Sequence, residues 1–273
     1  MPPAKSIRGL VASVLAFALS APLAAGGAEW ELVETKSRDV ARAMKFVNLT
    51  ARTDSKRASL SFILFPASVA GFRVIDQVDH RKPAYLDLAD AMRKNDCIAG
   101  TNGGFFQKDF APLGLQIAGG QRKGSFNDGS PLLSGVFFVD ASGSPQLVRR
   151  SAFKDEPDVA HLLQSGPFLV DGSKAVSGLD AGRAATRTFL FRTSSNLWAL
   201  GRCSRITLHD LGALLAEEKI MGAAKVQSAL NLDGGTSSAL WVKGGAENGR
   251  DHYDRSWANV RNFVGVVQKS PAP

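Results

Sequence analysis

The sequence predicts an α+β fold: a mixed, largely antiparallel β-sheet core with a few helices, in a single domain. Three observations point there. Short apolar runs recur along the chain between clusters of Gly, Pro, Asn and Ser, as strands do between turns. Only two stretches carry the spacing of an amphipathic helix. No repeat, low-complexity linker or shift in composition divides the chain, so its elements are expected to pack as one layered unit.

Taken in order, Glu29 to Leu49 reads as two opening strands, and Arg52 to Lys56 as a polar turn. Leu60 to Phe65 is a strand ending at Pro66, and Phe72 to Ile75 a short one. Pro83, suited to a first helical position, opens a helix through Tyr85, Leu86, Leu88, Ala89 and Met92 that ends near Asn95. It leads into a strand over Cys97 to Thr101. Segments at Pro112–Ile117, Ser134–Val139 and Gln146–Val148 follow, then a short helix over Asp158–Leu163. Gln164 to Gly172 reads as a loop entering a strand, and Arg187–Phe191 with Asn196–Leu200 as a hairpin. Thr207 and Asp210 resemble a capping box ahead of a helix through Leu208, Leu211, Leu214, Leu215 and Ile220 that stops at Gly222. The last strand is Phe263 to Val267, before a Pro-containing tail.

The 273 residues, 44% hydrophobic and 21% charged, are ordinary for a globular chain and enough for a core without covalent staples. Residues 1–28 stand apart. Lys5 and Arg8 make a basic start, Gly9 to Leu19 is apolar, and Ser20-Ala21-Pro22 breaks the run before small residues up to Ala28. That is the layout of a secretory signal peptide, which makes 29–273 the mature chain and places it in the periplasm or outside the cell. The apolar run is short for a membrane span, an uncleaved anchor being the alternative, and no later stretch is long enough. No stable span is therefore expected after signal removal. The formal charge of +8 is spread over short clusters such as Arg122-Lys123 and Arg149-Arg150. This weighs against a nucleic-acid partner and suits, weakly, an anionic substrate. Cys97 and Cys203 are the only cysteines; an exported chain permits a disulfide, and two buried thiols fit equally.

The densest chemistry lies in Asn231-Leu232-Asp233-Gly234-Gly235-Thr236-Ser237-Ser238, between apolar residues on both sides. A strand, a sharp turn and a second strand fit this stretch. Asp-Gly and Gly-Gly also make plain hairpins, but a hairpin needs neither Asn231 nor the three hydroxyls. The two glycines allow positive φ and close approach of a ligand, with N–H groups free for an anion. A second copy of the pattern, Thr101-Asn102-Gly103-Gly104-Phe105-Phe106, also ends an apolar strand. Further polar islands are Gln164-Ser165-Gly166-Pro167, Arg187-Thr188 and Arg261-Asn262. The four histidines, His80, His161, His209 and His252, show no ligand spacing.

The order Asn-Gly-Gly-Phe-Phe, Gln-Ser-Gly-Pro, Arg-Thr, Asn-Leu-Asp-Gly-Gly-x-Ser-Ser resembles the phosphodiester glycosidase family, over roughly Leu60 to Val267. The resemblance implies hydrolysis of a sugar-1-phosphodiester at the anomeric carbon, through an oxocarbenium-like transition state. Phosphate leaves readily, so one carboxylate can suffice. On this reading Asp233 is the catalytic carboxylate, as nucleophile, base or charge stabiliser, and Arg187 binds phosphate. Asn102 and Asn231 hold sugar hydroxyls or water. Gly103, Gly104, Gly234 and Gly235 shape the walls, with Ser165, Gly166, Thr236 and Ser237 as secondary contacts. Each has a structural alternative: turn capping for Asn102, Asn231 and Asp233, and an ion pair for Arg187. No cofactor is implied, although Asp233 and the Asn side chains are oxygen ligands of a kind that can hold a divalent cation. The family pattern carries a third glycine where Thr236 stands, and Ile-Gly where this chain has Phe189-Leu190-Phe191; both bear on substrate rather than fold. The partner expected is thus a carbohydrate phosphodiester, in envelope or exopolysaccharide metabolism. A carbohydrate-binding or polysaccharide-assembly accessory protein using the same pocket is the alternative. Cleavage of P–O instead of C–O is the third reading, disfavoured by the lack of His or acidic metal clusters.

Overall fold

The computed structural model describes residues 29–79, 81–155, 158–221, 225–245 and 249–269. The segment read as a signal peptide, His80, Gly222 and the tail beyond 269 lie outside them. The chain opens with β1 (Glu31–Ala41), β2 (Met44–Arg52), β3 (Arg57–Pro66) and β4 (Ala70–Asp76), then α1 (Leu88–Lys94) and β5 (Cys97–Asn102). Next come β6 (Gln116–Ala118), β7 (Gln121–Lys123), β8 (Gly135–Val139), β9 (Pro145–Arg149), β10 (His161–Ser165), β11 (Phe168–Asp171) and β12 (Lys174–Ala175). The long hairpin β13 (Ala185–Thr193) and β14 (Leu197–Ile206) precedes α2 (Leu208–Ala216) and α3 (Glu218–Met221). The chain closes with β15 (Val226–Asn231), β16 (Leu240–Val242), β17 (His252–Asp254) and β18 (Asn262–Gln268).

Three sheets result. An eight-stranded sheet runs β1-β2-β3-β14-β13-β15-β11-β12, and two five-stranded sheets run β7-β6-β10-β8-β9 and β17-β16-β5-β18-β4. Every pairing among the described strands is antiparallel, so the expected mixed character does not extend to a parallel pair. Strand alternation decides where side chains go. Leu190 and Leu200 face inward, joining Ile63, Phe137, Leu230, Val264 and Trp198 in a core shared by all three sheets. Phe189 and Phe191 point the other way, under Leu211, Leu214 and Leu215 of α2. The helix α1 covers the outer face of the third sheet through Leu88 and Met92, against Trp241 and Phe263.

The long hairpin tolerates no side chain at Gly201, which lies opposite Phe62 on β3 and Phe189 on β13. A Cβ there would stand 2.4 Å from Phe62 Cβ and 2.5 Å from the Ser61 carbonyl oxygen. Gly201→Ala is expected to lower unfolding free energy by about 1–3 kcal/mol, as overpacking against fixed backbone does. Urea denaturation checks this, and an unchanged midpoint contradicts it.

Several elements depart from the sequence reading. The first helix starts at Leu88 rather than Pro83: Asp87 caps it by accepting from Asp90 N–H at 2.9 Å. The Gln77 carboxamide grips both the N–H and the carbonyl of Tyr85, each at 2.9 Å, and so holds the preceding residues off the helix. The short helix expected over Asp158–Leu163 does not form: His161 to Leu163 are the start of β10, paired with β6 and β8. Leu162 and Leu163 pack on opposite faces, which a strand requires. The segment expected at Pro112–Ile117 is strand only from Gln116. Gln164 and Ser165, read as loop, belong to β10. Cys97 and Cys203 are both buried free thiols, and burial pushes each up to about 12. The capping box is as expected, with Thr207 Oγ1 accepting from Asp210 N–H at 3.0 Å.

Candidate active site

Between β15 and β16 the chain leaves the eight-stranded sheet and enters the third one. The Asp-Gly-Gly turn is therefore a crossing at the seam of two sheets, not a hairpin. Asp233 is clamped from both sides. Its N–H donates to the Gly103 carbonyl at 2.9 Å, and its carbonyl accepts from Asn102 Nδ2 at 2.7 Å, both after β5 or at its end. One residue earlier, Leu232 N–H donates to the Thr188 carbonyl of β13 at 2.8 Å.

The Asp233 side chain faces a cleft of about 690 Å³, with Arg187, Gly234, Gly235 and Thr236 in its wall. Burial pushes this carboxyl above the ordinary range, while donors from Ser237 and Gly234 N–H (2.9 Å) favour the ionised form. Arg187 is 8% exposed; Nε donates to the Ile206 carbonyl at 3.1 Å and Nη2 to the Arg183 carbonyl at 2.6 Å. Burial and then the nearby Arg183 charge depress its basicity, with Asp180 acting the other way. Its guanidinium is thus fixed by backbone carbonyls rather than by a carboxylate, and keeps its charge for the cleft. Gly235 takes a φ of 64°, which favours glycine, while Gly234 is extended and a Cβ on it would sit a tight 3.0 Å from the Thr186 carbonyl oxygen.

The remaining expected residues stand behind this wall. Asn102 is wholly buried, its Oδ1 accepting from Thr188 Oγ1 at 2.8 Å and Ala239 N–H at 3.0 Å. It holds protein groups together rather than sugar hydroxyls, and its oxygen is turned away from any ligand set with Asp233. Asn231 donates to the Gly166 carbonyl at 2.8 Å, and Ser165 donates to the Asn231 carbonyl at 3.1 Å. The Gln-Ser-Gly-Pro island therefore buttresses the strand leading to Asp233. Gly103 and Gly104 do not offer N–H groups to an anion: Asn262 takes them, through its carbonyl at 2.9 Å and its Oδ1 at 2.7 Å. A Cβ on Gly103 would meet that Oδ1 at 1.9 Å. Asn262 in turn donates to Gln116, Gln116 to Asp76, and Asp76 pairs with Arg261, which accounts for the Arg-Asn island.

Sequence reasoning missed Arg183, Arg205 and Trp257, which line the same cleft, as does Phe105. Arg205 belongs to β14 beside the Ala185–Ile206 pair, so only strand register brings it to the site. Trp257 is held by the turn itself, its N–H donating to the Thr236 carbonyl at 2.8 Å, while 92% of the residue is exposed. Among the described residues no cluster of three or more His, Cys, Asp or Glu side chains is arranged to hold a metal.

A strand-end cleft with one raised carboxyl among arginines has the burial and charge that suit an anionic ligand. The phosphodiester glycosidase family model matches residues 95–267, and the chain belongs to that family. It is 29% identical over 178 residues to the uncharacterized protein YigE of Escherichia coli (strain K12), covering 58% of this chain and 63% of that one. The match thus spans less than two thirds of that relative's length. Among solved structures, the zebrafish N-acetylglucosamine-1-phosphodiester alpha-N-acetylglucosaminidase catalytic domain, auto-inhibited by its pro-peptide, superposes with a TM-score of 0.61 at 16% identity. The superposition covers 86% of this chain and 88% of that one. A hypothetical protein from Synechocystis gives 0.58 at 15% identity, over 87% and 64%. Both share the fold. No helix among the described residues is long and apolar enough to cross a membrane.

Proposed function

We propose that the chain is an exported hydrolase that cleaves the glycosidic C–O bond of a sugar-1-phosphodiester, N-acetylglucosamine-1-phosphate being the first sugar to try. Residues 1–28 act as the export signal and 29–273 as the glycosidase domain, with an envelope polymer or exopolysaccharide as the setting. One observation carries the reading: a carboxyl raised by burial, Asp233, faces the same cleft as Arg187, whose guanidinium is held by backbone carbonyls. Family membership and the activity for which the zebrafish enzyme is named agree with it.

The chemistry follows from what each group can do. Arg187 holds the phosphate, and its charge stabilises the leaving group as the C–O bond opens. Asp233 is the one carboxylate among the described residues lining the cleft. It takes the proton of the water that attacks the anomeric carbon, and its charge offsets the oxocarbenium. A phosphate leaving group needs no second carboxylic acid. Asn102, Asn231, Ser165, Gly166, Gly103 and Gly104 are positioning residues that fix the turn, while Gly234, Gly235, Thr236 and Ser237 shape and tune it.

Hydrolysis in ¹⁸O-labelled water tests the bond cleaved. Label is expected in the released sugar; label in the phosphate would rule the glycosidase reading out in favour of P–O cleavage. The acid side of the pH profile tests the base. Turnover falls as pH drops through the raised Asp233 value, because protonated Asp233 cannot accept. Ser237→Ala removes a donor to the ionised form, so the proton is held more tightly and the acid limb moves to higher pH. A limb that stays put in that variant removes Ser237 from the tuning.

A further inference from the structure

The cleft that holds Asp233 and Arg187 is aromatic as well as charged: Trp257 and the half-buried Phe105 line it too. The chain has four tryptophans, and Trp30, Trp198 and Trp241 are each at most 4% exposed. Trp257 is the exception, with its indole standing in water. So large an apolar ring left uncovered forgoes the stabilisation that burial gives the other three.

Its backbone is nonetheless fixed. The N–H groups of Trp257 and Ala258 both donate to the Thr236 carbonyl, at 2.8 and 3.2 Å, so the ring is carried on the Asp-Gly-Gly turn itself. An aromatic side chain turns about only two bonds and loses little conformational freedom when a ligand packs on it.

The chemistry of an indole decides which part of a substrate suits it. Its face carries the negative side of the ring quadrupole, which repels an oxyanion. The phosphate is therefore left to Arg187. A pyranose turns C–H groups, apolar and weakly positive, toward such a face and keeps most hydroxyls around its rim, where water or polar groups can reach them.

We propose that Trp257 is a specificity-determining residue, the platform on which the pyranose ring packs while its anomeric carbon faces Asp233. This rests on reading the cleft as a sugar-1-phosphodiester site, and it assigns the grip on the sugar to a side chain outside the glycine-rich motifs.

With the other three tryptophans buried, acrylamide quenching of the intrinsic fluorescence reports chiefly on Trp257. Acrylamide is neutral, so the arginines of the cleft do not concentrate it. The full chain carrying Asp233→Asn, which suppresses turnover, is titrated with two ligands while calorimetry follows binding. One is the methyl phosphodiester of N-acetylglucosamine; the other is dimethyl phosphate, which has the same charge and no sugar. The sugar diester is expected to shield the indole from acrylamide, and dimethyl phosphate to leave quenching unchanged. Adding Trp257→Ala should weaken the sugar diester by roughly tenfold, the order of a single aromatic contact, and Trp257→Phe should keep most of that affinity. The side chain is exposed, so neither change disturbs the core. A sugar diester that binds without shielding the indole, or binds as tightly after Trp257→Ala, overturns the proposal and leaves the phosphodiester site intact. Equal shielding by dimethyl phosphate overturns it too, by placing the indole over the phosphate. No binding of the sugar diester sinks the phosphodiester reading and this proposal together.

Discussion

Asp233→Asn is expected to lower turnover of a sugar-1-phosphodiester by roughly 10³-fold while leaving the fold unchanged, the range typical of losing a positioned base. Asparagine is nearly isosteric, and the clamp on residue 233 runs through its backbone, to Gly103 and Asn102. Its Oδ1 can still accept from Gly234 N–H, so thermal unfolding should match the wild type. What is lost is the charge that accepts a proton and faces the oxocarbenium. Rate and melting temperature, measured on one preparation, decide the matter. Full turnover by a folded Asp233→Asn protein would remove this residue from the mechanism.

The second large effect is on stability. Asn102→Ala deletes a wholly buried side chain that serves three partners: the Asp233 carbonyl, the Thr188 hydroxyl and Ala239 N–H. The Asp233 carbonyl and Ala239 N–H lose this bond, at about 1–3 kcal/mol apiece, while the Thr188 hydroxyl keeps Ser238 Oγ at 3.1 Å. Relaxation recovers part of this, and a net loss of about 3 kcal/mol or more is expected in urea denaturation. A loss below about 1 kcal/mol would mean that the seam between the two sheets does not depend on this residue. Because Asn102 holds the Asp233 backbone, remaining folded protein should also turn over more slowly. Asn102→Asp is a useful companion: it keeps both acceptor contacts but has no donor for the Asp233 carbonyl.

The two glycine-rich motifs were legible because they combine residue types that strands do not otherwise need at their ends. Which of their atoms face a ligand was not legible. Asn102 and Asp233 look equally exposed to chemistry in one dimension, yet one is a saturated buried link and the other lines the cleft. The helix wrongly expected over Asp158–Leu163 failed for a related reason: adjacent leucines carry no period, and only partners on both sides made the segment a strand. Arg183 and Arg205 gave no signal, since an arginine outside a motif is ordinary surface until register brings it to a site.

The sequence by itself determined the β-rich class, the capped helix at Thr207, the long hairpin and the two turns that meet at the site. Those features are written in local periodicity, capping and turn chemistry, which act over a few residues. Tertiary structure alone decided that the Asp-Gly-Gly turn joins two sheets and that Asn262 consumes the Gly103 and Gly104 N–H groups. It also decided that three arginines and a tryptophan share one cleft with Asp233. The reason is physical: burial, desolvation and charge convergence depend on strand pairings between residues far apart in the chain.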